Sequence, residues 1–193
     1  MSRLDAVLAE ARACTVCREH LPLGPRPVLA VHGASRIAVI GQAPGTRVHA
    51  TGVPWDDDSG AHLQEWLGVD RATFMDATRF AILPMGFCYP GKKKGGDAAP
   101  RPECAPLWHA PILDAMPDLR LTLLIGGYAQ ARYLGKARKK TLTASVQGFA
   151  EYLPDRFPLP HPSWRSRIWM KKNPWFEAEV LPSLRERVAQ ALA

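Results

Sequence analysis

The chain has 193 residues, of which 47% are hydrophobic, and its formal net charge is +7. This length suits one well-buried core better than two, so we expect a single domain spanning residues 1–193. No apolar run is long enough to span a bilayer and no secretory segment is visible, which predicts a cytoplasmic protein without membrane contact. The charge favours a polyanionic partner such as nucleic acid, although an ordinary basic surface would give the same composition.

The first predicted element is a short amphipathic helix that leads into a pair of cysteines. Apolar residues at positions 4, 7, 8 and 11 share one helical face. Three prolines within residues 21–27 then predict an extended connector.

Four short apolar runs follow, with helix-length segments between them. They are residues 36–41, 79–83, 121–126 and 157–160. This alternation predicts a parallel sheet covered by helices on both faces. A final helix is predicted from about Phe176, with a bend at Pro182, whereas the basic, glycine-rich residues 91–96 predict a flexible loop.

Unusual residues come directly after these strands, where ligands bind in parallel sheets. The first run is followed by a segment whose glycines allow the backbone to approach a ligand closely: Gly41, Gln42, Ala43, Pro44 and Gly45. Taken alone, this segment is better explained as an ordinary turn between a strand and a helix.

A second candidate segment places an aromatic ring beside three carboxylates, at residues 55–58. Trp55 could stack on a planar ligand, and a carboxylate could act as a general base. The alternative is that Asp58 or Ser59 caps the following helix and that none of the three carboxylates does chemistry.

The last strand leads into His161, Pro162 and Ser163. A histidine here could stabilise negative charge that develops on a leaving group. Arginines and lysines then alternate with Trp164, Trp169 and Trp175, which combines phosphate-binding charge with aromatic surface. A solvated basic face with core tryptophans explains the same pattern equally well.

Four cysteines remain, and a reducing compartment makes disulfides between them rare. Cys14 and Cys17 form a CxxC pair, whereas Cys88 and Cys104 flank a loop rich in proline and glycine. Four thiolates suit either zinc or an iron–sulfur cluster, and the spacing does not separate the two. Four unrelated buried cysteines are the remaining alternative.

Together these motifs, in this order, resemble the uracil-DNA glycosylase superfamily, and most closely its iron–sulfur-containing branches, families four and five. The resemblance covers nearly the whole chain. It implies a three-layer α/β/α sandwich around a four-stranded parallel sheet, with a pocket for a flipped base at the strand ends. It also implies a 4Fe–4S cluster on the four cysteines, with zinc as the alternative, that organises loops and does no redox chemistry.

The function implied is hydrolysis of the N-glycosidic bond of uracil, or of a related deaminated base, in DNA. Asp57 and His161 match the catalytic positions, and Trp55 matches the aromatic residue that packs on uracil. Residues 41–45 and Ser163 match the substrate-binding motifs. Trp164, Arg165 and Arg167 are assigned to DNA binding, and we expect a monomer with no obligate protein partner.

Two departures from the family pattern leave base preference and turnover open. Gln42 stands where these families place a glutamate, and Pro84 stands where family four places the asparagine that reads the uracil edge. One alternative is therefore a relative that binds uracil-containing DNA without efficient turnover. The other is a cluster-stabilised DNA-binding module without a base pocket.

Overall fold

The structure is a computed structural model that describes residues 2–193. Its strands are β1 (Ile37–Ile40), β2 (Phe80–Ile82), β3 (Lys92–Lys93), β4 (Gly96–Asp97), β5 (Leu121–Ile125) and β6 (Arg156–Leu159). Its α-helices are α1 (Arg3–Arg12), α2 (Thr46–Thr51), α3 (Asp58–Leu67), α4 (Arg71–Met75), α5 (Cys104–Leu113), α6 (Gly126–Leu134), α7 (Leu142–Gln147), α8 (Trp164–Lys172) and α9 (Leu181–Leu192). Short 3₁₀ turns occupy Arg18–His20, Gly135–Ala137 and Phe149–Tyr152.

The central sheet has four parallel strands in the order β2-β1-β5-β6. Ile37 of β1 pairs with Phe80 on one side and with Leu121 on the other. These four strands are the four apolar runs, so the predicted sheet is confirmed. The chain order reverses between β1 and β5, which is the switch point where open parallel sheets bind ligands.

Helices cover both faces of the sheet because successive strand residues point to opposite sides. Ile37 and Val39 of β1 join a core cluster with residues of α3 and α9, whereas Ile40 packs on the other face with residues of α6. On that second face Ala81 and Leu83, in and just after β2, pack with α1 and α5. This arrangement is the expected three-layer α/β/α sandwich.

The C-terminal helix departs from a plain bent helix. A π-helical turn, Phe176–Val180, precedes α9, and Pro182 lies in the first turn of α9. Because proline has no N–H, Pro182 cannot donate the α-helical hydrogen bond to the carbonyl of residue 178. The wider turn occurs where that bond is lost.

Residues 91–96 contain regular secondary structure where the sequence predicted a flexible loop. β3 and β4 form a short antiparallel hairpin in which Lys92 pairs with Asp97. The N–H of Ala98 donates to the carbonyl of Gly91 (2.8 Å) and closes the base of the hairpin. Within residues 2–193, none of the helices has the length and apolar character needed to cross a membrane.

Candidate active site

A pocket of about 440 Å³ opens at the carboxyl ends of β1, β2 and β6. Its volume lies in the range of small-molecule sites. The residues predicted to contact or transform a substrate all line it: Gly41, Gln42, Ala43, Pro44, Gly45, Trp55, Asp57, His161 and Ser163. Trp164 and Arg165 line its rim, whereas Arg167 lies on the exposed surface of α8 and is not among the lining residues.

Trp55 forms a wall of the pocket in an unusual backbone conformation. Its φ angle is 55°, in the left-handed region that residues with side chains rarely adopt. Its ring packs on Gly41, where an added Cβ would lie 2.9 Å from Cζ2, and the Trp55 and His161 ring centres are 5.9 Å apart. The indole therefore lies between the end of β1 and the residues after β6, which suits stacking on a planar base.

The three adjacent aspartates have three different surroundings. Asp56 accepts a hydrogen bond from Arg71 (3.0 Å), and the side chain of Asp58 is fully exposed. Asp57, and neither Asp58 nor Ser59, is the N-cap of α3, because its Oδ1 accepts from the N–H of Gly60 (2.9 Å). Asp57 also lines the pocket, so one residue combines capping with a place in the candidate site.

His161 lies half-buried beside Trp55. Burial lowers the pKa of this histidine below its usual value, although Asp57 and Asp97 oppose the shift. A neutral imidazole is therefore favoured at neutral pH. The next residue is also fixed, because Nδ1 of His62 donates to the carbonyl of Pro162 (3.3 Å).

Pro84 also lines the pocket and offers it no side-chain hydrogen-bond donor. Its carbonyl accepts from Nε2 of the buried His109 (3.0 Å), which leaves Nδ1 to accept from the Tyr133 hydroxyl (2.6 Å). Burial lowers the pKa of His109 to about 4, so this network remains neutral. It holds the backbone after β2 in place.

Asp97 is a pocket residue that the sequence reasoning missed. It ends the β3–β4 hairpin, and no sequence motif marks it, because the lysines and glycines before it indicate only a flexible loop. Gln42, at the position of the missing glutamate, donates from Nε2 to the carbonyl of Ala98 (3.0 Å). The hairpin is thus tied to the segment after β1.

The three tryptophans that the sequence suggested as an aromatic surface for nucleic acid fall into two groups. Trp164 is 69% exposed, and the guanidinium of Arg165 lies 5.2 Å from its ring centre. Trp169 and Trp175 instead pack edge-on against each other and against the core, and Nε1 of Trp169 donates to Thr143 (2.9 Å). Only Trp164 of these three belongs to an aromatic surface at the pocket, and the other two are core residues.

The four cysteines line a second, smaller pocket between the N-terminal segment and the chain around α5. No group of three or more His, Cys, Asp or Glu side chains in residues 2–193 is arranged to hold a metal ion. Burial raises the pKa of the Cys104 thiol to about 12, so this thiol is protonated unless a positive centre binds it.

Two N–H donors lie at this cysteine pocket. The N–H of Phe87 donates to Sγ of Cys104 (3.3 Å), and the indole N–H of Trp108 is buried without a partner in the described residues. An iron–sulfur cluster takes four thiolates and accepts N–H hydrogen bonds at its sulfurs. The donor set therefore fits such a cluster.

A family model, Uracil DNA glycosylase superfamily, matches residues 30–185. The match covers most of the chain, which therefore belongs to this superfamily. Membership indicates a glycosylase-type hydrolase that acts on DNA. Cys14 and Cys17 precede the matched range, whereas every residue that lines the pocket except Val28 lies within it.

Proposed function

We propose that this protein flips uracil, or a related deaminated base, out of DNA and hydrolyses its N-glycosidic bond. The observation that carries the proposal is the convergence of Trp55, Asp57 and His161 on one pocket, beside a helix with exposed arginines. Enzymes that act on a base must take it out of the stack and hold it in such a pocket. We further propose that the protein belongs to the iron–sulfur branches of the superfamily and acts as a cytoplasmic monomer.

Binding is assigned to the pocket rim and to the wall formed by Trp55. Arg165 and Arg167 on α8 would contact phosphates, which orient the duplex without reading its sequence. The exposed ring of Trp164 offers a surface on which a neighbouring base could stack. The flipped base would then enter between Trp55 and the segment 41–45.

Cleavage of the glycosidic bond needs stabilisation both at the base and at the sugar. The bond from C1′ to the base nitrogen breaks with its electron pair leaving on the base, while water forms the new bond at C1′. His161, as a neutral donor, would stabilise the departing base anion. The carboxylate of Asp57 would stabilise the sugar cation or position the water.

We propose that Cys14, Cys17, Cys88 and Cys104 hold a 4Fe–4S cluster, with zinc as the alternative. Bound there, the cluster supplies a structural cross-link between the N-terminal segment and the chain around α5. Anaerobic purification tests this directly: we expect a brown protein containing about four irons. Stoichiometric zinc and no visible charge-transfer absorption would overturn the cluster assignment.

A second candidate is a protein that binds uracil-containing DNA without efficient turnover. Gln42 and Pro84 favour it, because neither supplies the acid or the amide of the related motifs. A panel of oligonucleotides carrying uracil, hypoxanthine, xanthine or mismatched thymine, with abasic sites revealed by alkali, decides between the two. Cleavage at uracil or another deaminated base supports the enzyme, whereas selective binding without strand breaks supports the second candidate.

A further inference from the structure

The hairpin formed by β3 and β4 contributes a carboxylate to the candidate active site. Gly95, Gly96 and Asp97 all line the pocket that contains Asp57 and His161. A Cβ added to Gly45 would lie 3.5 Å from Oδ2 of Asp97 and 4.0 Å from Oδ2 of Asp57. The two carboxylates therefore face the same small region above the segment 41–45.

The two carboxylates are not equivalent. One oxygen of Asp57 is committed to the N–H of Gly60, which caps α3. Within residues 2–193, the Asp97 carboxylate has no hydrogen bond or ion pair. Partial burial raises the pKa of Asp97 above its ordinary value, while Lys92 and His161 oppose the shift and Asp57 adds to it. A free carboxylate with a raised pKa is a stronger base than an ordinary aspartate.

Gln42 gives this arrangement a structural basis. Its amide donates to the carbonyl of Ala98, the residue directly after Asp97. A glutamate at position 42 could not donate this bond when ionised, because a carboxylate only accepts. The residue that replaces the motif acid thus anchors the strand that carries another acid.

We propose that Asp97 is the general base of the reaction and that Gln42 is the positioning residue that holds it over the pocket. This inference rests on the proposed function. As water forms its bond to C1′, Asp97 takes the proton that the water loses. The base departs with the electron pair of the broken bond and is protonated by solvent, so hydrolysis is balanced. Asp57 then has the separate task of stabilising the sugar cation.

The test compares single-turnover cleavage of a uracil-containing oligonucleotide by Asp97→Asn and Asp58→Asn. Asp58 is the matched control because it is an exposed aspartate close in sequence to the site and is not a lining residue. General-base catalysis contributes about 10²–10⁴-fold, so Asp97→Asn should slow cleavage by that factor while DNA affinity and melting temperature are retained. Asp58→Asn should cleave at the wild-type rate.

Two further readouts separate a base from a merely structural aspartate. The acid limb of the rate–pH profile should change in Asp97→Asn and remain in Asp58→Asn. The charged groups near Asp97 are Lys92, Asp57 and Arg165, and His161 is a titratable neighbour that is neutral at neutral pH. Gln42→Met, which keeps length but cannot donate, should also slow cleavage. Its effect should not add to that of Asp97→Asn, because both act through one carboxylate.

The outcomes also distinguish this inference from the proposed function. If Asp97→Asn cleaves at the wild-type rate while His161→Ala is slowed in the same assay, the role of Asp97 is overturned and the proposed glycosylase function stands. A wild-type protein that releases no base from any oligonucleotide of the panel would overturn both.

Discussion

The carbonyl oxygen of Trp55 occupies the space in which a side chain of Gly60 would begin. A Cβ at Gly60 would overlap this oxygen and would contact the Trp55 Cβ at 2.9 Å. The left-handed conformation of Trp55 thus depends on a glycine in the first turn of α3. Strained backbone of this kind persists only where its surroundings enforce it, and it is frequent at functional sites.

Gly60→Ala should displace Trp55 and distort the pocket. Because the overlap is with backbone, the cost should exceed about 2 kcal/mol in the free energy of unfolding. Gly127→Ala is the matched control, since Gly127 also lies in the first turn of a helix and has open space around it. That change should be neutral or stabilising by up to about 1 kcal/mol. Urea unfolding of both variants measures the difference, and equal effects would refute the packing argument.

Asp57 is predicted to act in catalysis as well as in capping. Asp70 caps α4 in the same way, by accepting from the N–H of Thr73 (2.7 Å), and lies outside the pocket. Asparagine caps nearly as well as aspartate, so Asp57→Asn and Asp70→Asn should have similarly small effects on stability. Only Asp57→Asn should reduce the single-turnover rate. Wild-type cleavage by Asp57→Asn would restrict this residue to capping.

His161→Ala should slow cleavage without weakening DNA binding. Removal of one preorganised donor at a developing anion typically costs about 10²–10³ in rate. His20→Ala provides a control, since His20 is exposed and is not a pocket residue. Single-turnover rates and binding isotherms measured together test the prediction. A rise in Kd that accounts for the whole loss of activity would assign His161 to binding instead.

The buried, neutral side chain of His109 should make the fold less stable in mild acid. Its native pKa of about 4 lies below the value of about 6.5 in an unfolded chain, so the unfolded state binds the extra proton first. Stability supplied by neutral His109 is complete above pH 6.5 and is lost as the pH falls towards 4. Between pH 7 and pH 5 the loss should be about 2 kcal/mol. In urea unfolding, the free energy of unfolding of His109→Gln should fall less between pH 7 and pH 5 than that of the wild type. An unchanged pH dependence of this free energy would contradict the argument.

Charge reversal on α8 should weaken binding to all DNA. Arg165→Glu combined with Arg167→Glu should reduce affinity for uracil-containing and normal oligonucleotides alike, because phosphate contacts carry no sequence information. The salt dependence of binding should become shallower as fewer counterions are released. Arg3→Glu, on α1 outside the pocket, is the control. A loss of affinity for uracil-containing DNA alone would show instead that these arginines recognise the base.

The strands could be predicted from the sequence because short apolar runs between helix-length segments are local signals. The 41–45 segment and His161 each follow a predicted strand, so the sequence also predicted that they lie at one edge of the sheet. Asp97 could not be found in this way, because the hairpin is positioned by a hydrogen bond between Gln42 and Ala98, 56 residues apart. The left-handed conformation of Trp55 could not be predicted from the sequence either, because it depends on the contact with Gly60. The cap on α3 was expected, but the choice of Asp57 depends on backbone geometry.

The most direct test of the central claim is the release of free base from DNA. A duplex with one labelled uracil would be mixed with excess protein, and free uracil would be separated from DNA over time. We expect first-order release by the wild-type protein, a rate lowered about 10²–10³-fold by His161→Ala, and no release from the matched thymine duplex. Full binding of the uracil-containing duplex without any release of uracil would contradict the assignment of this pocket to uracil excision.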